Sequence, residues 1–171
     1  GVTLRGADGV PDVMRGEETQ IVGQLAAIGG GLMVLPGSHS KWALATAASE
    51  APVEDGAEGV VEDGEITWFA TFMTGELYAV LRRHSILGRL MAADPPFDRA
   101  AFARGLDYAG IEGSSSGGLL KRLFSARSLG LFDELGAQAI PDYLSGLLIG
   151  TEITEALACI EARSQAVTVI G

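Results

Sequence analysis

Cysteine, histidine and long apolar runs are all scarce in this 171-residue sequence. Its one cysteine, Cys159, cannot form an internal disulfide, which favours a reducing, cytoplasmic location. With only two histidines and no cysteine or carboxylate cluster at ligand spacing, a structural metal site is not expected. No apolar stretch approaches the length of a membrane span, so no membrane partner is expected either.

Basic residues are also in short supply, since 12 lysines and arginines face 22 acidic residues, for a net charge of −10. This balance argues against a nucleic-acid partner or an anionic membrane surface, but it leaves room for one local anion site. Hydrophobic residues make up 47% of the chain, which predicts a folded domain with a core. Because the chain starts on glycine and ends on an apparent strand, we expect an internal piece of a longer protein.

The most informative stretch is LMVLPGSHSKWALAT, residues 32–46, which predicts two strands joined by a tight turn. Gly37 can adopt backbone angles that let main-chain N–H groups converge, Ser38 and Ser40 add hydroxyls, and Lys41 adds a cation. Such a turn can bind an anionic oxygen, for example that of a phosphate group. An ordinary hairpin whose serines cap their own backbone is the alternative. The stretch matches neither the Walker phosphate-binding loop nor the nucleophile elbow of hydrolases.

A helix is predicted from Glu17 to Ile28, with Glu17 and Glu18 in its first turn. A carboxylate that follows a glycine at a helix start can act as a general base toward a substrate hydroxyl. The plainer interpretation is that acidic residues favour helix starts, because the helix dipole stabilises their ionised form.

The rest of the chain predicts further strands and helices in an α/β layer arrangement. The first sixteen residues are expected to be loop with at most one short strand. Later elements are a strand over residues 65–73, helices over 77–91, 99–108 and 119–132, a long helix after Pro141, and a strand over 166–171. In the long helix, Gly146 and Gly150 stand four residues apart and are expected to allow close packing against a neighbour. Asp-Gly in the repeated VEDG of residues 53–64 predicts a hairpin turn. Residues 114–118 are predicted to form a connector.

Five motifs taken together resemble one family: MRGEETQIVG, LPGSHSKW, TFMTGELYAVLRRHSILGRLM, LFSARSLGLF and YLSGLLIGTEI. They are similar to 2-dehydro-3-deoxygalactonokinases, sugar-acid kinases of the actin-like ATPase superfamily. The resemblance implies a ribonuclease-H-like α/β fold, here mostly the second of two domains with an inserted helical part. Residues 1–29 would end the first, sugar-side domain, and residues 30–171 would form the second domain up to the adenine-binding segment.

The resemblance also implies an activity, namely ATP- and Mg²⁺-dependent phosphoryl transfer to a hydroxyl of 2-dehydro-3-deoxy-D-galactonate. Glu17 would be the general base, with Glu18 as the other candidate. The sugar acid would contact Arg15, Thr74 and Glu76. Phosphate or nucleotide contacts would come from the turn and the chain's last residue: Gly37, Ser38, His39, Ser40, Lys41 and Gly171. No residue is assigned to metal, and the oligomeric state is left open, with a homo-oligomer as one option.

One feature of that superfamily is missing from the sequence. Its first phosphate hairpin, an Asp-x-Gly-Thr pattern that also helps to hold Mg²⁺, does not occur in the chain. We therefore expect the 171 residues to be inactive alone. A non-catalytic module that senses a sugar or a nucleotide on the same scaffold is the alternative function.

Overall fold

The computed structural model describes residues 1–6, 9–47, 64–110, 117–160 and 166–171. The repeated VEDG stretch up to Asp63, and residues 114–116 of the predicted connector, lie outside the described residues. The chain divides into two compact units. Unit 1 comprises Gly1–Phe72 with Ser164–Gly171, and unit 2 comprises Met73–Arg163. The predicted domain boundary after residue 29 does not coincide with this division, and it stays a prediction.

The described residues of unit 1 form two sheets and one helix. The two-stranded sheet pairs β1 with β2, and the four-stranded sheet has the order β5-β4-β3-β6. Strand β4 runs antiparallel to both of its neighbours, β3 and β5, whereas β6 lies parallel to β3. The elements are β1 (Val2–Arg5), β2 (Pro11–Met14), α1 (Glu17–Ile28), β3 (Gly30–Leu35), β4 (Ser40–Thr46), β5 (Glu65–Phe72) and β6 (Val167–Val169).

The predicted strand-turn-strand motif and the helix from Glu17 to Ile28 are confirmed. The expectation of loop over the first sixteen residues was wrong, because they form the β1–β2 ribbon. Its inward-facing Met14 is almost fully buried in the core of unit 1. Alternate residues of a ribbon point to opposite faces, so burial of one face stabilises it despite its glycine-rich surroundings.

Helix α1 covers one face of the four-stranded sheet. Its buried residues Ile21 and Leu25 join Met33, Ala43 and Phe69 of the strands in one cluster. Gly29, with φ of 72°, ends the helix, and its N–H donates to the carbonyl of Leu25. Because only this residue separates α1 from β3, the two elements run in opposite directions. The start of α1 therefore lies at the end of the sheet where β3 finishes.

All regular secondary structure in the described residues of unit 2 is helical. It consists of α2 (Thr74–His84), a 3-10 turn (Gly88–Leu90), α3 (Arg99–Ala109), α4 (Leu119–Leu123), α5 (Ser125–Leu131) and α6 (Ile140–Cys159). None of the helices in the described ranges combines the length and apolarity needed to cross a membrane.

Two predicted helices of unit 2 are shorter than expected. The helix predicted over residues 77–91 ends at His84, because Ser85 is extended, with φ −116° and ψ 171°. The Ser85 hydroxyl accepts from the N–H of Leu87 and donates to the carbonyl of Leu81, which replaces helical hydrogen bonds. The helix predicted over 119–132 is two helices, since the Phe124 N–H bonds the carbonyl of Lys121, three residues back.

The close packing predicted for the long helix is confirmed where α6 crosses α3. A Cβ built on Gly146 would overlap the carbonyl oxygen of Phe102, and one on Gly105 would overlap that of Tyr143. At Gly150 an added Cβ would lie 2.7 Å from the Ala109 Cβ. The helix backbones thus approach so closely that only glycine fits at the crossing.

Candidate active site

Three chain segments meet at one end of the four-stranded sheet. Strands β3 and β6 are parallel and finish at the same edge, where the Ile170 N–H donates to the Val34 carbonyl at 2.9 Å. The first turn of α1 lies at this edge as well. The three segments enclose an open pocket of about 400 Å³. Its lining residues are Glu17, Gln20, Leu35, Pro36, Gly37, Ser38, His39, Ile170 and Gly171. The carboxyl ends of parallel strands are the usual ligand site in α/β folds.

The β3–β4 turn presents hydrogen-bond donors to this pocket. Gly37, Ser38 and His39 are all exposed. Within the described parts of the chain, no hydrogen bond engages the backbone N–H of Gly37 or Ser38, or the Ser38 hydroxyl. Two unengaged N–H groups and a hydroxyl at a pocket wall can bind an anionic oxygen.

The glycine that this site needs for its backbone geometry is Gly16, whereas Gly37 was expected in that role. Gly37 does not adopt a positive φ, and an added Cβ would meet only ordinary contacts at 3.8 Å. Gly16 has φ of 110°, a value that other residues rarely adopt, and it immediately precedes Glu17. The unusual backbone angle therefore occurs where the chain turns from β2 into α1.

The two glutamates at the start of α1 have different surroundings. Glu17 lines the pocket, and its Oε2 accepts from the Arg15 N–H at 2.9 Å. Glu18 is not among the lining residues, and its Oε2 accepts from the Gly16 N–H at 2.6 Å. Hydrogen bonds from its own N–H and from that of Gly16 hold the pKa of Glu18 below its usual value. The lowered pKa makes Glu18 a weak proton acceptor.

Ser40 and Lys41 are not among the lining residues, although they belong to the predicted phosphate turn. Both are buried, with exposed fractions of 4% and 6%. The Lys41 ammonium donates to the Thr71 hydroxyl at 2.7 Å and to the Val13 carbonyl at 3.1 Å. Its charge thus points away from the turn and into the protein, where Thr71 also bonds Asp12.

The residues predicted to contact the sugar acid are not brought into this pocket. Arg15 is exposed and does not line it. Thr74 and Glu76 belong to unit 2, at the start of α2. Unit 2 has a pocket of its own, of about 450 Å³, whose lining includes Tyr78, Arg82 and Arg83.

Sequence reasoning missed several lining residues. Gln20 lies three residues after Glu17, and helical spacing places both on one face, so this residue could have been found. Ile170 could not, because its place depends on the pairing of β6 with β3 across more than a hundred residues.

The described residues contain no group of three or more histidine, cysteine, aspartate or glutamate side chains arranged for a metal ion. The pocket offers one carboxylate, that of Glu17. Mg²⁺ bound with a nucleotide takes most of its ligands from phosphate and water, so a single carboxylate does not identify a protein site for it.

The sequence profile of one family matches the chain over residues 1–55 and 56–171, and this family is described as 2-keto-3-deoxy-galactonokinase. The chain belongs to the 2-keto-3-deoxy-galactonokinase family. Family members are kinases of the galactonate catabolic route, and the resemblance noted in the sequence is thereby confirmed.

Two curated relatives carry the same activity in their names. The chain is 34% identical over 161 residues to the 2-dehydro-3-deoxygalactonokinase of Escherichia coli K12, covering 94% of this chain and 47% of that protein. It is 39% identical over 150 residues to "Probable 2-dehydro-3-deoxygalactonokinase DgoK1" of Rhizobium meliloti, covering 86% and 44% respectively. The chain thus spans about half the length of the curated relatives it matches.

A solved structure also matches the fold. It is the crystal structure of a Sinorhizobium meliloti protein provisionally named 2-dehydro-3-deoxygalactonokinase. The two are 31% identical, with a TM-score of 0.73, over 99% of this chain and 58% of the other. The mixed α/β architecture of the chain is therefore that of a family member.

Proposed function

We propose that the chain supplies the phosphate-binding turn and the general base of a sugar-acid kinase. The reaction would transfer the γ-phosphoryl group of ATP to a hydroxyl of 2-dehydro-3-deoxy-D-galactonate. The names of the curated relatives support the substrate pair. Because the chain matches about half of each relative, the remaining contacts to sugar and adenine would come from segments outside the match. The expected cytoplasmic location stays a prediction, and a homo-oligomer stays one option for the assembly.

One observation carries the proposal, namely that Glu17 and the turn residues Gly37–His39 line the same pocket. A kinase needs a proton acceptor for the attacking hydroxyl and donors for the phosphate at which that hydroxyl reacts. The carboxylate would take the first role, and the unengaged N–H groups with the Ser38 hydroxyl the second.

The fold of unit 1 is consistent with the ribonuclease-H-like architecture of actin-like ATPases, which we propose for this chain. Three antiparallel strands are followed by a strand parallel to the first, in the order β5-β4-β3-β6. The helical unit 2 is inserted between β5 and β6.

In the proposed mechanism, the protein contributes position and electrostatics. The donors of the turn would hold phosphate oxygens as charge shifts during transfer, and Glu17 would accept the proton of the sugar hydroxyl. Mg²⁺ arriving with ATP would neutralise phosphate charge. The described residues assign it no protein ligand, so the roles of Glu17 and of the turn do not depend on it.

An assay of sugar-dependent ADP formation tests the proposed function. The full-length protein that contains this chain is mixed with ATP and either 2-dehydro-3-deoxy-D-galactonate or a panel of other sugar acids. We expect ADP formation only with a 2-dehydro-3-deoxy sugar acid. Ligand binding without turnover would contradict the proposal and favour a sensing module.

The turn makes a separate prediction at Ser38. Replacing Ser38 with alanine removes a hydroxyl donor, and a hydrogen bond to a charged group contributes about 1.5–3 kcal/mol. We therefore expect Ser38→Ala to raise the KM for ATP roughly tenfold or more, with the KM for the sugar acid nearly unchanged. Thr19→Ala is the control, since Thr19 is exposed on α1 and does not line the pocket. Equal effects of the two variants would remove Ser38 from phosphate binding.

A further inference from the structure

The buried side chain of Lys41 belongs to a polar network that connects three strands of unit 1. Its ammonium bonds the Thr71 hydroxyl on β5 and the Val13 carbonyl on β2. The Thr71 hydroxyl in turn donates to Asp12 Oδ1 at 2.6 Å, and the Thr71 N–H donates to Asp12 Oδ2 at 2.7 Å. Both oxygens of the Asp12 carboxylate are therefore engaged by one residue of β5.

The backbone pairing of the four-stranded sheet does not depend on this network. Burying an ammonium group is unfavourable unless hydrogen bonds and an opposite charge compensate for it. The strands β4 and β5 are already paired through their backbones, with Lys41 opposite Thr71. What the network adds is a connection to β2, which belongs to the other sheet.

The connection matters because β2 leads directly into the helix that carries Glu17, and the phosphate turn leads directly into Lys41. Val13 is four residues before Glu17, and the intervening segment contains Gly16 with its φ of 110°. On the other side, the turn Gly37–His39 stands directly before Ser40 and Lys41. The network thus joins the chain just before the carboxylate to the chain just after the phosphate turn.

We propose that Lys41, Thr71 and Asp12 are positioning residues that fix Glu17 relative to the turn. This inference rests on the proposed function and assigns Lys41 no contact with phosphate. Catalysis by positioning is sensitive to geometry, since a displacement of about 1 Å can cost 10²-fold in rate. Loss of the network is therefore expected to lower kcat rather than nucleotide affinity.

The test compares Thr71→Val with Thr71→Ser in the full-length protein. Valine removes the hydroxyl at the centre of the network, whereas serine keeps it. We expect Thr71→Val to lower kcat by about 10–100-fold, with the KM for ATP changed less than about threefold, and Thr71→Ser to stay near wild type. Thr67→Val is the matched control on the same strand. Among the described residues, the Thr67 hydroxyl donates only to the Leu44 carbonyl, so this variant should leave kcat unchanged.

A double-mutant cycle with Glu17→Gln separates positioning from general destabilisation. If Thr71 acts through Glu17, Thr71→Val has no further effect on kcat once Glu17 is replaced. An equal loss in both backgrounds would overturn the inference, and so would a Lys41→Met variant that raises the KM for ATP while keeping kcat. Either result leaves the proposed function intact, because that function is tested separately, by sugar-dependent ADP formation in the wild-type protein and by the Glu17→Gln variant.

Hydrogen exchange provides a readout that does not need activity. The backbone amides of residues 13–18 should exchange faster in Thr71→Val than in Thr67→Val, because the hydrogen bonds of the Thr71 hydroxyl with Lys41 and Asp12 are lost and the connection of β2 to β5 is weakened. Unchanged exchange in this segment would contradict the proposed role.

Discussion

Replacing Glu17 with glutamine is expected to lower kcat by about 10²–10⁴-fold, the usual contribution of a general base. The KM for the sugar acid should change much less, because the amide keeps the size of the side chain and can still hydrogen-bond a hydroxyl, although it is uncharged and cannot accept a proton. Steady-state kinetics of the full-length protein, with each substrate varied in turn, measures both quantities.

Glu18→Gln is the matched control for this prediction. Glu18 has the same side chain one position later, but it does not line the pocket, and its carboxylate is held by the Gly16 N–H. Because its pKa is lowered, it is poorly suited to receive a proton. We expect Glu18→Gln to reduce kcat by less than about tenfold, well below the contribution of a general base. Wild-type turnover in Glu17→Gln with a large loss in Glu18→Gln would reverse the assignment.

Replacing Gly146 with alanine is expected to destabilise unit 2 by about 3 kcal/mol, at the upper end of the usual cost of overpacking. The added Cβ would overlap the Phe102 carbonyl, and backbone atoms cannot move aside as a side chain can. For a chain of this length, such a loss lowers Tm by roughly 6–12 °C. Thermal unfolding of the 171-residue chain, followed by the helical circular dichroism signal, measures the shift.

Gly136→Ala controls for the general effect of removing a glycine. Gly136 is exposed, an added Cβ there would meet nothing within 4 Å, and its φ is not positive. We expect its stability to stay within about 0.5 kcal/mol of wild type. If Gly146→Ala were as stable as Gly136→Ala, α3 and α6 could not cross as closely as described.

Local sequence signals predicted the elements of the fold whose causes are themselves local. The start of α1 follows from a glycine followed by two glutamates, and the β3–β4 hairpin from two apolar runs around Pro36-Gly37. The crossing at Gly146 follows from glycines spaced by one helical turn. The end of α2 was missed, because the amphipathic pattern continues regularly past Ser85. The helix ends there because the Ser85 side chain takes over helical hydrogen bonds, which the pattern does not reveal.

The candidate site was only partly predictable for a different reason. Glu17 and the turn were assigned to a common site from the family resemblance. In the structure, Glu17 and the turn residues line the same pocket. The environment of Lys41 could not be read from its neighbours in sequence, since its partner Thr71 is 30 residues away and Asp12 is 59 residues from Thr71. In sequence, a lysine beside a serine-rich turn is typical of a phosphate ligand. The strand register places Lys41 opposite Thr71, and its ammonium points into the protein.

The most direct measurement is a crystal structure of the full-length protein with a non-hydrolysable ATP analogue and the sugar acid. We predict that a phosphate oxygen accepts hydrogen bonds from the turn at Gly37 and Ser38. A hydroxyl of the sugar acid should then lie about 2.6–3.2 Å from the Glu17 carboxylate. Phosphates bound away from this turn, or a sugar acid with no hydroxyl near Glu17, would contradict the account.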